Sequence, residues 1–214
     1  LTENTDPKGK TMPLKSRKKK SNVGRASAAD QATIGALIAA LADGNGLLRQ
    51  RARESLANMG EAAVAPLIEA LTDPNDQVRW EAAKALSEIG SPAAAPALVN
   101  ALGDRKGGTR WLAAEGLIVL ERQGLPPLLQ ALVERAGSEW LREGAHHVLH
   151  VLAGKKGLGD LVSPVLAALE SIEPALETPL AARAALDKLA QEPSQHDEQG
   201  KEKNDAAKQG PKAK

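Results

Sequence analysis

Apolar side chains recur along this chain at the 3.6-residue spacing of amphipathic helices, and the pattern is clearest from Leu67 to Gly90. Leu67, Ile68, Ala70 and Leu71 belong to a first helix, which the turn formers Thr72 to Asp76 interrupt. Val78, Ala82, Ala85, Leu86 and Ile89 then align as one apolar stripe of a second helix, and Gly90 supplies a positive-φ stop. The unit is helix, tight turn, helix.

Copies of that unit stand on both sides. Leu41, Leu71, Leu102 and Leu132 close successive first helices at intervals of 30, 31 and 30 residues. Asp43, Asp73 and Asp104 follow two residues later, and Arg49, Arg79 and Arg110 six residues after each aspartate. Pro66, Pro96 and Pro127 fall in the first turns of three first helices, where a missing N–H costs nothing. The spacing predicts a first repeat in which Ser27 or Asp30 caps a helix with Ile34, Leu37, Ile38 and Leu41, followed by a helix over Leu47–Met59. A third repeat spans Pro96–Leu120 with Arg105–Gly108 as its turn, and a fourth uses Pro126–Leu132 and Trp140–Leu152. After a loop insertion at Gly154–Asp160, a fifth pair over Val162–Ile172 and Leu180–Ala190 is expected to cap the array.

Composition narrows the picture. Apolar residues make up 42% of the chain, yet there is no Phe, no Tyr and only three Trp, so the core must be Leu, Ala, Val and Ile. Without cysteine, disulfides and thiolate metal sites are excluded. No apolar run is long enough for a bilayer span and no secretory signal is evident, so a soluble, cytoplasmic protein is expected. Residues 1–29 read as a basic disordered tail carrying the Lys15–Lys20 run, a candidate nucleic-acid contact. Residues 191–214 read as a second, charged disordered tail, and Met12 is a candidate initiator since the sequence starts at Leu1. The helical part between the tails is net acidic, which argues against a phosphate-tracking groove on it.

The register of Pro–Leu, Leu–x–Asp, then hydrophobic–Arg and Ala-Ala-x-x-Leu, best kept from Val78 to Leu86, resembles the HEAT-like repeats of the phycobilisome-lyase type over about Ala32 to Ala190. The resemblance implies an all-α fold, a right-handed α-α superhelix of about five helix pairs over residues 30–190. It also implies that the second helices line the concave side, and that Asp43, Asp73 and Asp104 form a structural ladder with Arg49, Arg79 and Arg110. The fourth copy departs, with Glu134 in place of the aspartate, and the fifth has Pro179 where the arginine should stand, so the ladder is expected to end there.

Motifs for catalysis are absent: there is no P-loop, GxSxG or HExxH. The paired His-Glu steps that hold iron in HEAT-like hydroxylases are missing at the matching register, which reads Arg79-Trp80-Glu81 and Arg110-Trp111-Leu112. Glu143, His146, His147 and His150 share one helical face, so Glu143, His146 and His150 are weak metal candidates against the alternative of a solvated polar face, with Glu115 as the facing ligand. On the second helices, Trp80, Lys84, Trp111, Glu115, Ile118, Glu143 and His147 lie opposite the buried stripe, and Trp80, Trp111 and Ile118 are expected to form an apolar patch. The function these residues point to is that of a non-catalytic scaffold or adaptor that binds protein partners without a cofactor. Two alternatives stay open: an accessory subunit of a bilin lyase or isomerase, and nucleic-acid association through the basic tail.

Overall fold

The structure is a computed structural model that describes residues 28–191. Ser27, Met12, the Lys15–Lys20 run and nearly all of both expected tails lie outside the described residues. Ten α-helices follow one another: α1 Ala28–Ala40, α2 Gly46–Met59, α3 Glu61–Ala70, α4 Asp76–Ile89, α5 Ala95–Ala101, α6 Gly107–Leu120, α7 Leu125–Arg135, α8 Glu139–Ala153, α9 Gly159–Leu169 and α10 Pro174–Gln191. Short 3-10 turns at Pro92–Ala94 and Glu121–Gly124 lead into α5 and α7, and no strand occurs among the described residues. Helix α1 thus begins two residues before the expected domain edge and α10 ends one after it.

The turns explain why each helix pair folds back on itself. The carboxylates of Asp43, Asp73 and Asp104 each accept the N–H two residues on, at 2.7 Å in every case, which closes the turn locally. Asn45 and Asn75 sit next in line and cap α2 and α4 through bonds of 2.9 Å to the N–H groups of Leu47 and Gln77. Gly60 and Gly90 end α2 and α4 at φ of 61° and 66°. The third turn differs from expectation: Gly107 and Gly108 are already helical, and the chain turns over Gly103–Lys106 instead.

Helices α1, α3, α5 and α7 form one layer and α2, α4, α6 and α8 the other, so each second helix packs along its predecessor. Fully buried leucines at 41, 56, 67, 86, 98, 102, 117, 132 and 149 fill the space between the layers. Ala82, Ala83, Ala113, Ala114 and Ala145 are buried as well, and these small side chains let neighbouring second helices approach closely. The array is an all-α solenoid, and no helix among the described residues is long and apolar enough to cross a membrane.

The last pair corrects the expectation of a fifth copy in the same order. Helix α9 packs along α8, in the second-helix layer, while the long α10 lies on α7 and α9 and extends the first-helix layer. The order of the pair is inverted. Elsewhere, linkers of one to five residues carry the chain from a second helix across to the other layer. After α8 the insertion Gly154–Leu158, with Gly157 at φ of 80°, folds the chain back along α8 itself. Helix α10 also starts at Pro174, well before the expected Leu180, and includes Pro179 within its length.

Candidate interaction face

Four arginines staple the turns in the same way. Arg49 donates to the carbonyl of Asp43 at 2.7 Å, Arg79 to that of Asp73 at 2.9 Å and Arg110 to that of Asp104 at 2.9 Å. Arg142 does the same to Ala136, so the six-residue step survives in the fourth repeat although its aspartate does not. The other side of the first three guanidinium groups reaches the next repeat, with a different partner each time. Arg49 meets Glu81 at 3.4 Å, Arg79 grips both carboxylate oxygens of Asp104 at 2.6 and 3.1 Å, and Arg110 lies 3.8 Å over the Trp140 ring. A carboxylate–guanidinium rung therefore joins Arg79 to Asp104, while the carboxylate of Asp73 serves the Asn75 N–H.

Electrostatics follow this geometry. Burial alone would raise the Asp104 carboxyl, but the Arg79 hydrogen bond, the Lys106 N–H and the nearby guanidinium charges outweigh it and hold it below its ordinary value. Arg79 is correspondingly raised by the same hydrogen bond. On the surface, Lys106 bonds Asp76 at 2.8 Å and holds that carboxyl down too.

Sequence reasoning missed one buried cluster. Glu81, only 3% exposed, takes Arg53 at 2.9 Å, Arg49 at 3.4 Å and Gln77 at 3.3 Å, and Arg53 also reaches Glu88 at 3.2 Å. The available signal was a second arginine, Arg53, one helical turn after the staple Arg49, facing a glutamate at the matching point of the next repeat.

The residues singled out on the second helices divide into packed and open groups. Trp80 is half-buried and packs against the core; its indole covers Gly108, where a Cβ would lie 3.1 Å from the ring, and the Lys84 ammonium lies 5.2 Å from its centroid. The expectation that both tryptophans stand clear of the core is thus corrected for Trp80, because Gly108 leaves a niche for its ring. Trp111 is 58% exposed. Ile118 is half-buried against the core. Glu115 and His147 join α6 to α8 at 3.1 Å, and Glu143 is exposed on the same helix as His147.

His146 turns to α9, where it meets Glu170 at 2.9 Å, and its ring stacks on His150 with centroids 6.0 Å apart. Among the described residues no three of His, Cys, Asp and Glu converge as a metal-binding group.

Between α2, α4 and α6 runs an open groove of about 630 Å³. Trp80 and Gly108 form part of its wall, with Arg49, Arg53, Lys84 and Lys106 as its cations and Asp76 and Glu81 as its anions. Trp111 stands one turn beyond Gly108 on α6.

No curated protein matches this chain. Residues 34–118, from the middle of α1 nearly to the end of α6, match the family model for HEAT repeats. They carry the three turns that keep both aspartate and arginine in register, and the same helix-turn-helix unit continues through α7 and α8; residues 34–118 of this chain are HEAT-like repeats.

Proposed function

We propose that this protein is a non-catalytic scaffold whose second-helix face, around Trp111, receives a segment of a protein partner. HEAT repeats serve in general as protein-interaction scaffolds. The single observation that carries the placement is the exposure of Trp111, an indole 58% open on the side of α6 opposite its buried stripe. Tryptophan is enriched at the energetic centres of protein interfaces, and one exposed indole contributes roughly 150–250 Å² on burial. Lys84, Glu115, Glu143 and His147 belong to the same second-helix face and supply the polar rim that selects the partner, with Ile118 extending the apolar area along α6.

Trp80 supports this face as its wall, so the informative substitution is Trp111→Ala alone. A photo-crosslinking side chain at position 111, with a second at position 69 on α3 as control, identifies what docks there. The reading predicts a defined protein adduct from position 111 only, lost from a Trp111→Ala background whose melting temperature is unchanged. Adducts from position 69 alone, or a partner indifferent to Trp111→Ala, would place the interaction elsewhere.

A further inference from the structure

Three tryptophans stand on the second helices, and two of them carry a cation on the ring. The Lys84 ammonium lies 5.2 Å from the Trp80 ring centroid, and the Arg110 guanidinium lies 3.8 Å from that of Trp140. Among the described residues no cation lies over Trp111. The register explains why this indole is left open. Trp80 follows the staple Arg79 and nests over Gly108, which stands two residues before the staple Arg110. Trp111 follows Arg110 in the same way, but the residue two before the next staple, Arg142, is Trp140. Trp111 therefore has an indole at the place where Trp80 has a bare backbone, and Trp111 and Trp140 stay 58% and 47% exposed.

Two contacts fix how α6 and α8 face each other. Arg110 meets Trp140 near the start of both helices, and further along Glu115 meets His147 at 3.1 Å. The two helices run the same way, so Trp111, one turn before Glu115, lies beside Glu143, one turn before His147. Glu139 stands one turn earlier still on α8. Glu139 and Glu143 are both exposed and make no ion pair among the described residues. As like charges four residues apart on one helix they disfavour each other until a cation arrives. The cations of the chain on this side are already committed: Arg110 and Arg142 to the carbonyls of Asp104 and Ala136, Lys84 to the Trp80 ring and His147 to Glu115.

We infer that the face shared by α6 and α8 binds a basic segment of the partner, with a Lys or Arg side chain laid along the Trp111 indole and its charge directed at Glu143 and Glu139. The indole suits both parts of such a side chain: its apolar surface covers the methylene stem, and the negative face of the ring attracts the cationic head. The inference rests on the reading that this face receives a protein segment, and it specifies the chemistry of that segment. Charge complementarity selects the occupant: an acidic segment would be repelled by Glu139 and Glu143, and an uncharged one would gain nothing from either carboxylate.

The test uses the full chain and three fluorescein-labelled ten-residue peptides that share one frame and carry Lys, Gln or Glu at the same places. The Lys peptide should bind about tenfold or more tightly than the other two, and its affinity should fall as salt rises from 50 to 300 mM. Trp111→Leu keeps an apolar side chain but removes the ring face, and Glu143→Gln keeps the shape but removes the charge. Each should weaken the Lys peptide several-fold while the melting temperature holds. Glu69→Gln, which removes an exposed carboxylate from α3 in the other layer, should leave the affinity unchanged. Equal binding of the Lys and Gln peptides, tighter binding of the Glu peptide, or insensitivity to Trp111→Leu would overturn the inference. A loss in Glu69→Gln as large as in Glu143→Gln would overturn it too, by showing attraction to the net acidic repeats as a whole. Self-association of the chain that Trp111→Leu abolishes would put a second copy on this face instead of a basic segment. A partner crosslinked at position 111 and lost in Trp111→Ala, together with equal binding of the Lys and Gln peptides, would leave the face standing and remove only its basic preference.

Discussion

The first three repeats and the last two are built from the same helix-turn-helix unit but held by different forces. From α1 to α6 every turn carries an aspartate that closes it and an arginine that staples it, and buried charges cross from each repeat to the next. From α7 onward the turn aspartate is gone, Arg142 holds only a carbonyl, and the joints between helices are half-exposed His–Glu pairs. In the same region the order of the last pair inverts, with α10 laid across α7 and α9. Buried polar rungs join successive repeats in the first region; where they lapse, apolar packing and half-exposed His–Glu pairs hold the helices, and the last pair takes a different order.

Breaking a rung in the regular half should therefore have the largest effect. Arg79→Ala removes two bonds to its turn and strands the Asp104 carboxylate, whose side chain is only 8% exposed. A loss of about 3–5 kcal/mol is expected in urea unfolding, the range for removing one partner of a buried pair. Arg142→Ala, which gives up a neutral carbonyl acceptor, should cost about 1 kcal/mol. Asp73→Ala should also cost about 1 kcal/mol, because its carboxylate bonds a backbone N–H in its own turn. Similar losses for Arg79→Ala and Arg142→Ala would show that the carboxylate rung adds nothing to the staple.

The seam between the two regions is probed by Gly144 on α8. A Cβ there would lie 2.8 Å from Leu102 Cδ2 and 3.3 Å from Leu102 Cβ, at the end of the third first helix. Gly144→Ala should destabilise by about 1–3 kcal/mol despite the better helix propensity of alanine, since Leu102 is fully buried and has nowhere to move. A gain in melting temperature would mean that the second helices slide apart more easily than their alanine columns suggest.

Much of this was legible in the sequence because turns are local. The closing leucine, the aspartate and the arginine of each repeat fall within ten residues of one another, so spacing alone exposes them. The partner of each arginine is not local. Glu81, Asp104 and Trp140 lie 25–32 residues from the arginines they meet, and three different side chains fill one geometric role, so no repeated letter marks it. Trp80 was misread for a similar reason: the helical wheel places it opposite its own helix's buried stripe, but its niche is made by the absence of a side chain at Gly108, on the next helix. The inversion of α9 and α10 was hidden because the apolar period of a helix is the same whichever layer it joins.

A pH series sharpens the comparison by a smaller effect. The Asp104 carboxyl is held below its ordinary value in the folded state, so its contribution to stability is fully present above the unfolded value of about 4 and is lost as pH falls through the lower, folded value. Arg142 and its carbonyl have no proton to gain over that range. The difference in urea midpoint between the native chain and Asp104→Asn should therefore be largest at neutral pH and shrink below about pH 4. A difference that stays constant down to pH 3 would mean that the rung acts through shape rather than charge.

The smallest effect is expected at the far end. Helix α10 buries Thr178, Ala182 and Ala185, and at 100° per residue Leu176 and Leu180 fall on the opposite side, where they are 68% and 77% exposed. Neither touches the force that holds α10 to α7 and α9. Replacing both with glutamine changes helix propensity little, so the melting temperature should move by less than the equivalent of about 0.5 kcal/mol. The contrast with Arg79→Ala then separates a helix held by its apolar face from one held by charged rungs. A marked loss of stability in the double variant would show instead that Leu176 and Leu180 are covered in solution and that α10 packs on both of its sides.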